Sequence, residues 1–421
     1  MPSQAAGERG CQSGARRAQA AAIPVLFYSG WRLGYHNLEA ERKARALAAA
    51  GYEVTYIGGI GLRNPSVARL FVHSGRIKRI LAARIAASRR EKPPPAHADG
   101  AQPASGELGL RPAQLRLGSL IVTPPRQVAL VRALNARWVA RQLTRQVSPW
   151  ESALAWVRWP TPELVDALAL LKPAATVYEC VDAYEHTPGV VGRWARIFTR
   201  YERSLVERSD LVVVPGEQLA RRFRALGAEV RIVPHGVDLA PFAWRAMPQS
   251  ELVVGFVGTL DFRLDIPVLR AIAEHHPRWR LRLIGPIQLG FDPRSLADLP
   301  NVSIEPTVAA AEVPRLIASF DLGVMPYADH PHVAHMTPLK CLEFLAAGIP
   351  TVARPSLALE PYRGLLYYAD SPETFVRQLD RAVAEHSRER SQARRAAAEG
   401  NDWPSRLAEI TAIVDELTAG R

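Results

Sequence analysis

The sequence predicts an α/β protein built as two doubly wound, Rossmann-like domains facing a central cleft. Three observations carry this reading. At 421 residues the chain is long for a single core and suits about two to three domains. From residue 23 onward, short β-branched runs alternate with helical stretches, as parallel sheets covered by helices require. That alternating series is then written a second time, after Arg245–Ser250.

The first series places strands at Val25–Tyr28, Glu53–Ile57, Ser119–Val122, Leu154–Trp159, Thr176–Asp182 and Leu211–Val214. Helices are expected at His36–Ala50, ending at Gly51, and at 128–146, 162–171, 193–208 and 216–226. Residues 92–106 carry Pro, Gly and Ser in place of an apolar period and read as a mobile loop that interrupts this domain without ending it. The second series places strands at Leu252–Val257, Trp279–Ile284, Val302–Glu305, Leu322–Tyr327 and Thr351–Ala353, with helices at 265–275, 311–318 and 338–347. Helical segments near 371–386 and 403–419 close the chain. The expected division is a disordered extension at 1–22, an N-terminal domain at 23–236, a C-terminal domain at 237–402 and a terminal helix at 403–421.

Composition narrows the function classes. With 48% hydrophobic and 22% charged residues the chain can bury a sizeable core and is far from the disorder signature. Cys11, Cys180 and Cys341 lie far apart, which supports neither a disulfide framework nor a structural zinc site and fits a reducing cytoplasm. No run approaches the roughly 18 apolar residues of a spanning helix, and residues 1–22 lack the apolar stretch of a secretory signal. The net charge of +12 is uneven: residues 1–150 hold 23 basic and 7 acidic side chains, against 30 and 34 afterwards. An anionic partner on the N-terminal side follows. No RRM, KH or helix-turn-helix signature supports nucleic acid.

Two segments in the second domain carry the clearest chemistry. Gly255–Asp265 runs from a buried strand through Gly258 into a charged loop and a helix; Gly258 admits close backbone approach, and Arg263 can fork onto a phosphate. It is not a G-x-G-x-x-G dinucleotide fingerprint. In Thr337–Pro350, Thr337 suits the N-cap and Pro338 the first helical position, which puts Lys340 in the first turn with Glu343 three residues on. A cation there opposes the helix dipole, and an anion between it and the helix N-terminus relieves the conflict. Glu343 can accept hydrogen bonds from the vicinal hydroxyls of a ribose; the plainer reading is a surface Lys–Glu pair.

Pro338-Leu339-Lys340-x-x-Glu343-Phe344-Leu345-Ala346-x-Gly348-x-Pro350 resembles the donor-binding helix of GT-B glycosyltransferases of family 4. Val177–Tyr184, Val233–Asp238, Gly258–Asp265 and Asn401–Trp403 resemble, in order, segments of members that build teichuronic acid and other exopolysaccharides. The resemblance implies a hexosyl transfer from a nucleotide-sugar donor to a lipid-linked or saccharide acceptor. Arg263 and Lys340 would meet the diphosphate and Glu343 the ribose. His335 occupies the position where many members carry a donor-sugar Glu, which leaves the donor sugar and the anomeric outcome open. The family characteristically uses Arg and Lys in place of a metal; no H-E-x-x-H, D-x-D or Cys/His cluster points to one, and no cofactor is expected.

On the N-terminal side, Glu179, Asp182, Glu185 and His186 follow a buried strand, where they can bind acceptor hydroxyls or act as a general base. Asp182 matches the family pattern best, and Trp31 and Arg32 sit where such folds contact the acceptor. His235–Asp238 marks the expected crossing between domains, with Gly236 supplying unusual backbone angles. Arg76–Arg90 and Arg126–Arg145 read as basic amphipathic helices able to lie on anionic lipid, the second equally as a core-packed helix with a solvated basic face; the lipid reading, carried by the first, implies a cytoplasmic enzyme peripheral at the inner face of the membrane. The alternatives are a nucleotide-sugar epimerase on the same architecture and a non-enzymatic protein that binds anionic surfaces.

Overall fold

The computed structural model describes residues 23–30, 38–59, 115–122, 126, 128–184, 192–239, 244–248 and 251–419. The first sheet has seven parallel strands in the order β3-β2-β1-β4-β5-β6-β7. They are β1 Pro24–Tyr28, β2 Glu53–Ile57, β3 Leu115–Gly118, β4 Leu154–Val157, β5 Ala175–Glu179, β6 Leu211–Val214 and β7 Val230–Ile232. β1, β4, β5 and β6 are buried at every residue, as near-continuous apolar strands covered on both faces must be. Phe27 stacks between Tyr56 and Trp156 on one face, at 5.8 and 6.1 Å between centroids. Leu26, Tyr28 and Val157 enter the core on the other face. The helices are α1 Leu38–Ala49, α2 Ala129–Thr144, α3 Pro162–Leu171, α4 Arg193–Val206 and α5 Glu217–Arg224.

The second sheet has six parallel strands, β10-β9-β8-β11-β12-β13: β8 Val253–Val257, β9 Arg280–Ile284, β10 Val302–Glu305, β11 Leu322–Met325, β12 Thr351–Ala353 and β13 Tyr367–Tyr368. Around it lie α6 Ile266–His275, α7 Val313–Ile317, α8 Pro331–His335, α9 Leu339–Ala346, α10 Pro372–Ala384 and α11 Arg388–Glu399. The expected two doubly wound domains are therefore present.

The chain crosses between the sheets twice, side by side. Val237 pairs in parallel with Asp402, its N–H donates to Asn401 O (2.9 Å), and Trp403 N donates back to Val237 O (3.3 Å). The last helix, α12 Trp403–Thr418, returns to the first domain and buries Ile410, Ile413 and Val414 among Val25, Phe27 and Trp156.

Three local expectations change. The strand beside β2 is Leu115–Gly118, and residues 119–122 instead run along α2. There the Gln142 amide exchanges two 2.9 Å bonds with the Ile121 backbone, and the Gln146 amide two 3.2 Å bonds with Ser119, so side chains replace a neighbouring strand. β7, β13, α8 and α11 were not anticipated: the strands have three and two residues, α8 has five, and α11 is rich in Arg and Ala without an apolar period. Gly236 is also not at a positive φ. It is needed for space, because a Cβ there would lie 2.5 Å from the Trp403 ring.

Candidate functional site

A cavity of about 920 Å³ lies between the domains, of the size that small-molecule sites occupy. The second domain supplies Gly258 and Thr259 after β8, Gly285 after β9, Thr307 after β10, and Lys340 and Glu343 from α9. Glu39 and Arg42 of α1 line it from the first domain, with Gly236–Asp238 and Trp403 of the two crossings. The cavity thus opens at the C-terminal ends of parallel strands, where doubly wound folds bind ligands.

The backbones at the floor approach so closely that only glycine fits. Gly285 has φ +147°, and a Cβ there would lie 1.9 Å from the Gly258 carbonyl oxygen. A Cβ on Gly258 would meet Phe256 Cζ first, at 3.2 Å, with Lys340 Cε at 3.6 Å. Lys340 Nζ donates to Glu343 Oε2 at 2.5 Å, both side chains mostly buried. The surface-pair reading thus describes the contact but not the place, since both residues face the cavity. The helix begins one residue later than expected: Pro338 is the N-cap, with no side-chain cap, and helical residues start at Leu339. Thr337 packs instead against Gly216 of the first domain, where a Cβ would meet its Oγ1 at 2.9 Å.

Arg263 does not line this cavity. Its guanidinium is folded onto Asp261, with Nε to Oδ1 at 2.9 Å and Nη2 to Oδ2 at 2.8 Å, and Nη1 lies 3.6 Å from Met336 Sδ. Burial works against that guanidinium, but Asp261, and more weakly Asp182, keep it firmly protonated. Asp182 belongs to this second group: its Oδ2 lies 3.1 Å from His332 Nε2 of the opposite domain, and its Oδ1 accepts from Ala183 N. His332 is buried with its Nδ1 unpartnered, its ring 5.6 Å from that of Phe262. The Tyr327 phenol is pushed up to about 12 by burial, which the nearby Arg263 guanidinium opposes and the Asp261 and Glu343 carboxylates reinforce.

The expectation for Glu179 is corrected. It is 1% exposed and points into the protein, where it accepts from Lys43 Nζ (2.7 Å) and Trp156 Nε1 (2.6 Å) and pairs with Arg158 (3.1 Å). Lys43 also donates to Glu39 (2.5 Å), and Glu39 Oε2 lies 3.1 Å from His235 Nδ1. This buried charge cluster supports the cleft from below and leaves Glu179 no face for an acceptor. Burial alone would raise the carboxyls of Glu39 and Glu179, yet Lys43 and His235 hold the first well below its usual range, and Arg158 and Lys43 lower the second.

Trp31, Arg32, Glu185, His186 and the Arg76–Arg90 segment lie outside the described residues, as does the His335 side chain, although its backbone ends α8. Arg126 is buried against Glu163 at 2.6–2.7 Å instead of facing solvent. Sequence reasoning missed Arg42, which donates to both Asp238 oxygens at 2.7 Å and lies over the Trp403 ring at 4.9 Å. The available signal was Arg42 and Lys43 placed three and four residues after Glu39, one turn on, in a helix whose other charged residues are Glu41 and Arg45. Away from the cavity, the ligand atoms of His275, His276 and Asp380 come within 4.8 Å of one another.

Known proteins resemble the chain over both halves. Residues 84–241 match Glycosyltransferase Family 4, and residues 251–385 match Glycosyl transferases group 1. TuaH of Bacillus subtilis (strain 168), named as a teichuronic acid biosynthesis glycosyltransferase, is 25% identical over 289 residues, covering 62% of this chain and 72% of TuaH. Among solved structures, a glycosyltransferase from Rickettsia africae ESF-5 superposes with a TM-score of 0.59 at 11% identity, covering 96% of this chain and 100% of its own. Anabaena Alr3699/HepE in complex with UDP-glucose does so with 0.57 at 12%, covering 94% and 100%. Two family matches in tandem, on two doubly wound domains around a shared cavity, make this chain a family 4-like GT-B glycosyltransferase.

Proposed function

We propose that the enzyme moves a hexosyl group from a nucleotide-diphosphate sugar to a lipid-linked or saccharide acceptor in surface-polysaccharide synthesis, at the cytoplasmic face of a membrane. The observation that carries this reading is the placement of Lys340 and Glu343 side by side on the wall of the 920 Å³ cavity, above a glycine floor. Glu343 accepts hydrogen bonds from the ribose hydroxyls and so releases Lys340 toward the diphosphate. As the bond from the anomeric carbon to the phosphate oxygen breaks, negative charge grows on that oxygen, and the Lys340 ammonium and the uncapped α9 N–H groups stabilise it. Arg263 joins once it exchanges Asp261 for phosphate. These side-chain cations take the role that a metal fills elsewhere. The acceptor hydroxyl oxygen bonds to the anomeric carbon, and Asp182 orients that hydroxyl and takes up its proton.

The relatives support the donor and the pathway: TuaH is named for teichuronic acid synthesis, and HepE was solved with UDP-glucose. A thermal-shift screen of UDP-, GDP-, ADP- and dTDP-sugars tests the reading, since a ligand of the folded state raises its stability. One nucleotide class is expected to shift the wild type and to shift Lys340→Ala markedly less at the same concentration. No shift with any of them overturns the donor assignment.

A further inference from the structure

One stretch of the first domain presents six large apolar side chains to solvent: Leu117, Ile121, Val128, Leu130, Leu134 and Trp138, with Leu130 69% and Leu117 67% exposed. Leu130, Leu134 and Trp138 recur every fourth residue and form one stripe along α2. The core-facing side of the same helix is a different one, made of Asn135, Ala136, Val139, Ala140 and Leu143. α2 is therefore apolar on two faces, only one of which folding buries. The second face is held in place: the Gln142 and Gln146 amides pin residues 119–121 alongside the helix and keep Ile121 next to the stripe. Because α2 follows β3 in a parallel sheet, its first turn, with Leu130, lies at the strand ends that face the cleft.

Charge decides what covers this face. Arg137, Arg141 and Arg145 form the adjoining exposed stripe. From Leu108 to Trp150 the chain carries seven arginines and no acidic residue in 43 positions. A second copy docked through the same face would set arginine against arginine, an unfavourable match for a self-complementary contact. Aliphatic side chains and a tryptophan flanked by arginines along a helix laid on the surface match the boundary of an anionic bilayer. We infer that the α2 face, with Ile121 and Leu117 beside it, is the surface through which this enzyme rests on anionic lipid, with the cleft rim turned toward the membrane. The inference rests on the reading of the chain as an enzyme that works at a membrane, and it identifies the contact within the described residues.

Flotation of the full chain with vesicles of phosphatidylglycerol mixed with phosphatidylcholine, and of phosphatidylcholine alone, tests it. Two variants are compared with the wild type: Leu130→Ser/Leu134→Ser/Trp138→Ser and Arg137→Glu/Arg141→Glu/Arg145→Glu. The wild type is expected to float with the anionic vesicles in a salt-sensitive way and both variants to bind at least about tenfold more weakly, with UDP affinity unchanged. Wild-type binding in either variant overturns the assignment of this face while leaving membrane association itself standing. Loss of a wild-type dimer in the serine variant, with flotation intact, overturns it in favour of self-association. A wild type that binds no vesicle overturns both this inference and the membrane part of the proposed function, whereas UDP affinity reports on the donor site separately.

Discussion

Asp182 Oδ2 and His332 Nε2 stand 3.1 Å apart and join the two domains across the cleft. Asp182 lies three residues after the end of β5, and His332 sits in the short helix after β11, so the contact exists only when the domains approach. The pair fixes the direction of the Asp182 carboxylate and keeps Arg263 within its field. If Asp182 orients the acceptor hydroxyl, Asp182→Ala is expected to lower kcat by about two orders of magnitude or more and to leave the affinity for the nucleotide found in the screen within a factor of about three. Steady-state kinetics alongside calorimetry reads both quantities.

The Glu39–Lys43–Glu179–Arg158 cluster sets an acid limit on the fold. Both carboxyls titrate below their ordinary 4.5 in the folded chain, so the stability they contribute is complete above that pH and is lost as pH falls toward the folded values. Denaturation midpoints are expected to stay level on this account from neutral pH to about pH 5 and then to drop. Glu39→Gln should shrink the drop, and chemical denaturation across this range checks it.

Breaking the same cluster from the cationic side leaves Glu179 buried with Arg158 and Trp156 but without the ammonium on its Oε1. Lys43→Met is expected to cost about 3–5 kcal/mol, as removal of one member of a buried ion pair does. Urea midpoints at pH 7 measure it, and a loss under about 1 kcal/mol would show that Arg158 and Trp156 suffice for Glu179.

Gly285→Ala tests the glycine floor. The added methyl would fall 1.9 Å from a backbone oxygen, so the β8 and β9 ends must part. Stability is expected to fall by about 1–3 kcal/mol, and nucleotide affinity with it. Gly51→Ala, where a Cβ meets nothing within 4 Å but φ is +99°, separates backbone strain from crowding.

Much of this was legible in the residues. The buried strands β6 and β12 fall where apolar runs place them, because a strand covered on both faces must be apolar throughout, and the partly exposed β2 and β10 also keep their expected bounds. Lys340 and Glu343 were readable because a cation in a first helical turn is locally unfavourable and calls for an anion. Glu179 misled because a carboxylate at a strand end looks the same whether it faces the cleft or a lysine from a helix 136 positions earlier. Arg263 was expected at the cavity as a cation for phosphate, but its partner Asp261, two residues away, holds its guanidinium outside the cavity lining. Arg42 and Gly285 owe their roles to surfaces contributed by distant segments, which no local pattern reports.

The most direct measurement is calorimetric titration of UDP and of the nucleotide sugar found in the screen into the wild type, Lys340→Ala and Glu343→Ala. Loss of a charge-assisted hydrogen bond of about 1.5–3 kcal/mol is expected to weaken binding by roughly one to two orders of magnitude in each variant. Unchanged affinity in both folded variants would contradict the donor site described here.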